Sequence, residues 1–271
     1  MRWRQDLPCA GGGHVSWRSV GEGPPLVLLH GGHGSWQHWQ RNIEPWSRTH
    51  RVWVPDMPGY GDSSPPPAPT LDALLSHLRE TLDAAVGELT PIRLVGFSFG
   101  GLAAAHLAAL RPGVEALVLL GPAGHGGARR PRGTLRSWRE ALDSGDEAAL
   151  RAIMTHNLQL HMLAHPADAE AVRLHTDACL RTRFHSKTLS RRGGLADTLR
   201  RLQCPVLLLW GEHDVTGTPA ALAPALAAAC AQAEAHIIPG AGHWVQYEAA
   251  EAVNALVADW LGRAKAAPIK R

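Results

Sequence analysis

An α/β fold built on a mostly parallel sheet is the prediction, and three features of the sequence carry it. Short apolar runs alternate with segments of helical spacing, the order expected of a parallel sheet with helices on its faces. The runs Leu26–Leu29 and Pro205–Trp210 contain no polar residue, as strands buried on both faces require. Several runs end in glycine-rich turns, and in open α/β sheets the carboxyl ends of the strands are where ligands bind.

The elements follow in chain order. His14–Arg18 alternates loosely and reads as a short edge strand, closed by the turn Gly21–Pro25. Leu26–Leu29 is a strand ending in the loop His30-Gly31-Gly32-His33-Gly34-Ser35-Trp36. Gln37–Ser47 holds a short helix interrupted near Pro45. Arg51–Val54 is the next strand, and Asp56 in the loop after it reads as a loop-structuring residue. Pro65, Pro66, Pro67 and Pro69 form a stiff surface connection. Leu71, Leu74, Leu75, Leu78, Leu82 and Val86 lie on one helical face.

Ile92–Val95, broken only by Arg93, leads into the sharp turn Gly96-Phe97-Ser98-Phe99-Gly100-Gly101 and an Ala/Leu-rich helix ended by Pro112-Gly113. Val114–Leu120 is a strand closed by Gly121-Pro122-Ala123-Gly124. Gly124–Gln203 is rich in Arg, His and Leu, has no strand-type run, and reads as several short helices. Pro205–Trp210 restores the strand pattern and ends in Gly211-Glu212-His213-Asp214. An Ala-rich helix, a strand at Ala235–Ile238, the turn Pro239–Trp244 and a helix from about Tyr247 to Leu261 complete the chain, with a frayed tail at 263–271. There is no internal repeat.

Composition limits the function classes. With 271 residues, 45% hydrophobic and 19% charged, the chain buries a sizeable core as one domain with an insertion, or as two small ones. A net charge of +3 is too balanced to suggest a nucleic-acid partner. Cys9, Cys179, Cys204 and Cys230 show neither metal spacing nor a disulfide framework and read as free thiols in a reducing compartment. Without a signal-peptide core or a membrane-length apolar run, a cytoplasmic protein with no membrane partner is expected. His161 and His165 are four apart but lack a third ligand, so solvated histidines are expected there and no metal.

The chemistry is carried by three residues. Strand, tight turn and helix around Gly96-Phe97-Ser98-Phe99-Gly100 is the context that lifts a serine hydroxyl above a sheet. Such a hydroxyl needs a base, and the base needs an orienting carboxylate. Asp214 and His243 follow later strand ends in the order Ser, acid, His; Glu212 and His213 are the neighbours that could substitute for the acid. The N–H groups of Phe99 and Gly32 are the candidate oxyanion donors. The glycine loop at Gly31–Ser35 lacks G-x-G-x-x-G and the P-loop Lys-Ser/Thr, so phosphate cradling is disfavoured. His30 is expected to pack beneath that loop rather than act in chemistry, and His33 to reach the pocket rim.

Taken together, His30-Gly31-Gly32, Asp56–Ser63, Gly96–Gly101, Trp210–Asp214 and Gly240–Trp244 resemble an α/β-hydrolase-fold serine hydrolase with a lid. The resemblance implies an eight-stranded, mostly parallel sheet flanked by helices, with residues 1–123 and 202–271 as core and 124–201 as helical lid. It also implies a Ser98–His243–Asp214 triad and no cofactor. A serine nucleophile argues against haloalkane dehalogenases and epoxide hydrolases. The stretch Gly242–Glu248 is further similar to the C–C bond hydrolases of aromatic meta-cleavage pathways, in which a Trp after the His, here Trp244, lines the pocket. Many of those have Asn before the nucleophile, where this chain has Phe97. A carboxylic ester hydrolase is therefore the first expectation, a C–C hydrolase the alternative, and a non-hydrolytic ligand receptor on the same fold the third.

Charge adds a substrate expectation. Residues 124–203 carry 14 Lys and Arg against 8 Asp and Glu, a balance of +6, and the remainder carries −3. Solvated helix faces are the plain explanation. The sharper one turns one or two arginines inward, with Arg191 and Arg192 the candidates, onto a carboxylate of a small-molecule substrate. Nothing in the sequence speaks to oligomeric state.

Overall fold

The computed structural model describes residues 4–264. The apolar runs become strands of one sheet: β1 (Gln5–Pro8), β2 (His14–Val20), β3 (Pro25–Leu29), β4 (Arg51–Pro55), β5 (Ile92–Phe97), β6 (Val114–Leu120), β7 (Val206–Gly211) and β8 (Ala233–Ile238). Their order across the sheet is β1-β2-β4-β3-β5-β6-β7-β8. β2 is antiparallel to both its neighbours, and every pairing from β4 across to β8 is parallel. The sheet is thus eight-stranded and mostly parallel, as the resemblance implied.

Side chains alternate between the two faces of a strand, so a strand covered on both sides must be apolar throughout. Val27, Leu29, Leu94, Leu117, Leu119, Val206 and Leu208 pack into one core with α2 (Leu71–Val86), α3 (Phe99–Leu110) and α9 (Pro219–Ala227). Leu26, Leu28, Val95, Phe97, Val118, Leu207 and Leu209 face the other, with α1 (Ile43–Ser47) and the last helix, α11 (Ala250–Ala264). Arg93, the polar interruption in β5, is stowed against His50 at 2.8 Å and Glu115 at 3.5 Å.

Three local expectations change. β2 is not the edge strand: β1 covers it, and its half-exposed Gln-Asp-Leu-Pro sequence has no apolar run to announce it. Pro45 does not interrupt a helix. It sits in the first turn of α1, where its missing N–H has no intrahelical acceptor to lose. The C-terminal helix is split into α10 (Val245–Glu248) and α11. The expected frayed tail lies, from residue 265 on, outside the described residues.

Between β6 and β7 the chain carries α4 (Arg139–Asp143), α5 (Glu147–His161), α6 (Ala169–Leu180), α7 (Lys187–Arg191) and α8 (Leu195–Leu199), after a stretch at 124–138 without regular structure. Backbone bonds tie this insertion down: Trp244 N–H donates to Met162 O at 2.8 Å, and Arg183 and Phe184 N–H donate to Gly59 O. Among the described residues no helix is long and apolar enough to cross a membrane.

Candidate active site

β5 ends at Phe97 and α3 begins at Phe99, which isolates Ser98 between them. Its backbone has φ 54° and ψ −117°, a conformation that costs a residue with a Cβ on the order of 1–3 kcal/mol. Tertiary bonds hold it there: Ser98 N–H donates to Leu120 O at 2.9 Å, and Ser98 O accepts from Ala123 N–H at 2.9 Å. The flanking glycines are steric necessities. A Cβ on Gly100 would stand 2.3 Å from the carbonyl oxygens of Leu29 and His30, and one on Gly96 would stand 2.5 Å from Gly100 O. The turn therefore packs onto the end of β3 as tightly as backbone allows.

β7 and β8 deliver the partners. Ser98 Oγ lies 3.0 Å from His243 Nε2, and His243 Nδ1 lies 2.7 Å from Asp214 Oδ2. Asp214 Oδ1 accepts from both the N–H and the hydroxyl of Thr216, each at 2.7 Å. Asp214 is fully buried and His243 nearly so. Burial pushes the Asp214 carboxyl upward, but the His243 imidazole and the Thr216 donors outweigh it and leave the group below the usual carboxylate range. Gly121 backs onto this pair, since a Cβ there would meet Asp214 Oδ2 at 2.8 Å and His243 Nδ1 at 3.0 Å. Glu212 is exposed and accepts from Gly240 N–H at 2.9 Å, and His213 is exposed, so neither occupies the acid position.

The loop after β3 lies directly over the serine. A Cβ on Gly31 would come 3.2 Å from Ser98 Cβ, and one on Gly32 would come 3.8 Å from Phe99 Cβ. Its floor is His30, which is fully buried; Asp56 receives Trp36 N–H at 2.9 Å and the Arg18 guanidinium at 3.0 Å.

Above the serine is a cavity of about 590 Å³, walled by the loop after β3, by Phe97, Phe99 and His243, and by the insertion. Gly32, His33 and Arg191 line it. Trp244 does not, contrary to expectation. It is fully buried as the residue just before α10, stacks on Tyr247 at 4.3 Å, and donates its Nε1–H to His38 O at 3.1 Å. Arg192 is exposed and outside the cavity wall, because the chain turns extended after α7. His161 is not a solvated histidine either. It lines the cavity with its ring 5.8 Å from that of His243, and its Nδ1 faces the Arg132 guanidinium. Burial first, then the neighbouring His243, hold it well below the ordinary histidine value. His165 remains exposed, against Glu248.

Arg129, Arg132 and Lys187 also line the cavity and were not singled out by sequence. Arg129 and Arg132 belong to the stretch without periodicity, so no pattern shows which way they point. Thr216 and Gly121 were equally silent. The spacing Asp-x-Thr, in which a hydroxyl and an N–H fold back onto the carboxylate, is the signal that could have found Thr216. No group of His, Cys, Asp and Glu among the described residues has metal-ligand geometry.

Residues 24–250 match the family described as alpha/beta hydrolase fold. The chain is 30% identical to a 2-hydroxymuconate semialdehyde hydrolase of Pseudomonas sp. strain CF600, over 96% of this chain and 94% of that protein. It superimposes on the solved structure of a meta-cleavage product hydrolase from Pseudomonas fluorescens IP01 with a TM-score of 0.75, at 25% identity, covering 96% of this chain and 98% of that one. A thermophilic esterase from Thermogutta terrifontis gives a TM-score of 0.75 at 23% identity, with 96% and 98% of the chains covered, a likeness of fold.

Proposed function

This chain belongs to the alpha/beta hydrolase fold family, and from that premise we propose that it is a serine hydrolase acting on a small carboxylic ester that bears an anionic group. The observation that carries the reading is the continuous path from Ser98 Oγ through His243 to buried Asp214, with contacts of 3.0 and 2.7 Å, under one cavity. His243 Nε2 takes the Ser98 proton as Oγ attacks the carbonyl, while Asp214 fixes the Nδ1–H tautomer and balances the imidazolium. The N–H groups of Gly32 and Phe99 receive the developing oxyanion. His243 returns the proton to the leaving alcohol, and a water activated by the same ring then releases the acid. Residues 124–201 act as the lid that excludes bulk water. The anionic group is supported by the cavity wall, which carries Arg129, Arg132, Lys187 and Arg191 and, among the described residues, no Asp or Glu. The four free cysteines support a cytoplasmic placement.

A second reading has its own support. The Pseudomonas relative is named for hydrolysis of a semialdehyde acid, and the same three residues could cleave a C–C bond beside a ketone, with the carbon leaving group taking the proton. Against it, a fully buried apolar ring, Phe97, stands next to Ser98 and 4.9 Å from His243, where many such hydrolases carry an amide. The experiment is turnover of an umbelliferyl ester and of a 2-hydroxy-6-oxo-dienoic acid, in wild type and Ser98→Ala. Ester turnover that Ser98→Ala abolishes supports the first reading. Faster Ser98-dependent loss of the dienoate chromophore replaces it with the second. Stoichiometric acylation without steady turnover replaces both with a receptor.

A further inference from the structure

We propose that Arg129, Arg132 and Arg191 form a subsite for a doubly charged head group, a phosphate monoester or a malonate-type pair of carboxylates, on the molecule whose carbonyl Ser98 attacks. The proposal rests on the serine-hydrolase reading and narrows its substrate class.

The clustering is built into the backbone. The stretch after β6 runs beside the end of α7 and the start of α8: Gly124 N–H donates to Ser190 O at 3.0 Å, and Leu195 N–H donates to Gly124 O at 3.1 Å. Gly126, at φ 70°, passes so close that a Cβ on it would stand 3.2 Å from Gly193 Cα. That approach sets Arg129 and Arg132 on the same cavity wall as Arg191. Arg129 and Arg191 stay open to solvent and Arg132 is half-buried; partial desolvation first, then the neighbouring guanidiniums, hold Arg129 and Arg132 below the usual arginine value.

Among the described residues none of the three has a carboxylate partner. The carboxylate whose field reaches Arg129 is Asp214, and its oxygens are committed to His243 and Thr216. Like charges gathered without a counter-charge repel, so the arrangement is completed by an anion from outside. One carboxylate satisfies one guanidinium fork. Three forks match a group with more acceptor oxygens and a charge near −2, which a phosphate monoester or paired carboxylates supply.

The test uses umbelliferyl esters whose acyl chains end in methyl, carboxylate, phosphonate or malonate, compared by kcat/KM at fixed ionic strength. Either dianion should exceed the monocarboxylate by at least about tenfold, and inorganic phosphate should inhibit competitively. The ranking of phosphonate against malonate decides between the two sources. Arg129→Gln and Arg132→Gln should each collapse the dianion-to-methyl ratio, whereas Arg192→Gln, outside the cavity wall, should keep it. Turnover of the methyl-ended ester with no dianion preference overturns the subsite and leaves the hydrolase reading standing. If no ester is turned over and a fluorophosphonate does not label Ser98, the hydrolase reading falls. Calorimetric titration with inorganic phosphate and with malonate then decides the subsite alone: saturable binding weakened by Arg129→Gln supports it, and no binding overturns it.

Discussion

His30 uses both ring nitrogens in its neutral form: Nδ1–H donates to Gly31 O at 2.8 Å, and Nε2 accepts from Met57 N–H at 2.9 Å. A second ring proton would point at that N–H, so burial pushes His30 down to about 4; buried His175, lining the cavity, is likewise at about 4. Both values lie below that of an unfolded histidine, so the unfolded chain binds more protons between about pH 6.5 and pH 4. Stability is then full above about pH 6.5 and falls as pH drops through that window, by roughly 3 kcal/mol for each ring. Urea unfolding at pH 7.5, 5.5 and 4.5 should show the decline, and NMR should find His30 as the Nδ1–H tautomer down to about pH 5. A His30 midpoint near 6.5 would sink this account. At Asp214 the expectation concerns chemistry: Asp214→Asn should cut kcat by roughly 10⁴-fold because it favours the wrong His243 tautomer, with near-native circular dichroism. Near-normal kcat means another group is the acid. That Ser98, Asp214 and His243 come together was legible because each is tied to a strand end. Arg129 and Arg132 were not, because only a tertiary backbone pairing aims them.

At the scale of elements, the insertion is fastened to the His243 loop through Glu248 of α10. Its carboxylate accepts Gly242 N–H at 2.7 Å, Ala164 N–H at 2.9 Å and His165 N–H at 2.9 Å, with only 6% of the side chain exposed. One side chain thus fixes both the turn that presents His243 and the chain just after α5, next to His161 at the helix end and Met162, which line the cavity. Charge-assisted bonds of this kind are strong, and orphaned buried donors are costly. Glu248→Ala should therefore cost about 2–4 kcal/mol, lower kcat, and speed amide exchange at Leu163–His165 ahead of the sheet. Exchange unchanged at those amides would show that the other contacts hold the insertion by themselves. The strands of the central sheet were legible from apolar runs, because a sheet covered on both faces leaves no room for polar residues. β1 was not, because an edge strand that is half solvated needs no such run. Trp244 marks the limit of analogy: its neighbour fixes its place in the chain, but the buried acceptor at His38 O decides where its ring goes.

Across the whole molecule, the basic balance of residues 124–203 sits on a core of opposite sign. A near-neutral total concealed that division, though the count along the sequence exposed it. The fold turns it into a field, since the insertion bearing the +6 balance supplies the cationic part of the cavity wall above Ser98. Charges at a partly solvated cavity attract an anion over distances comparable to the Debye length, about 10 Å at 0.1 M salt. They act mainly on encounter, because the attraction is spent before bonds at Ser98 change. Raising NaCl from about 0.02 to about 0.5 M should therefore lower kcat/KM for the carboxylate-ended ester several-fold, with kcat nearly constant. The methyl-ended ester, which feels no such pull, should hold its kcat/KM across the same range. If both esters respond alike, salt is acting on the fold or the chemistry, and the arginines of the insertion serve as a solvated surface. If neither responds, the field does not reach the substrate. A selective loss for the anion alone marks the insertion as an electrostatic entry to the site, a role set by the placement of charge rather than by its total.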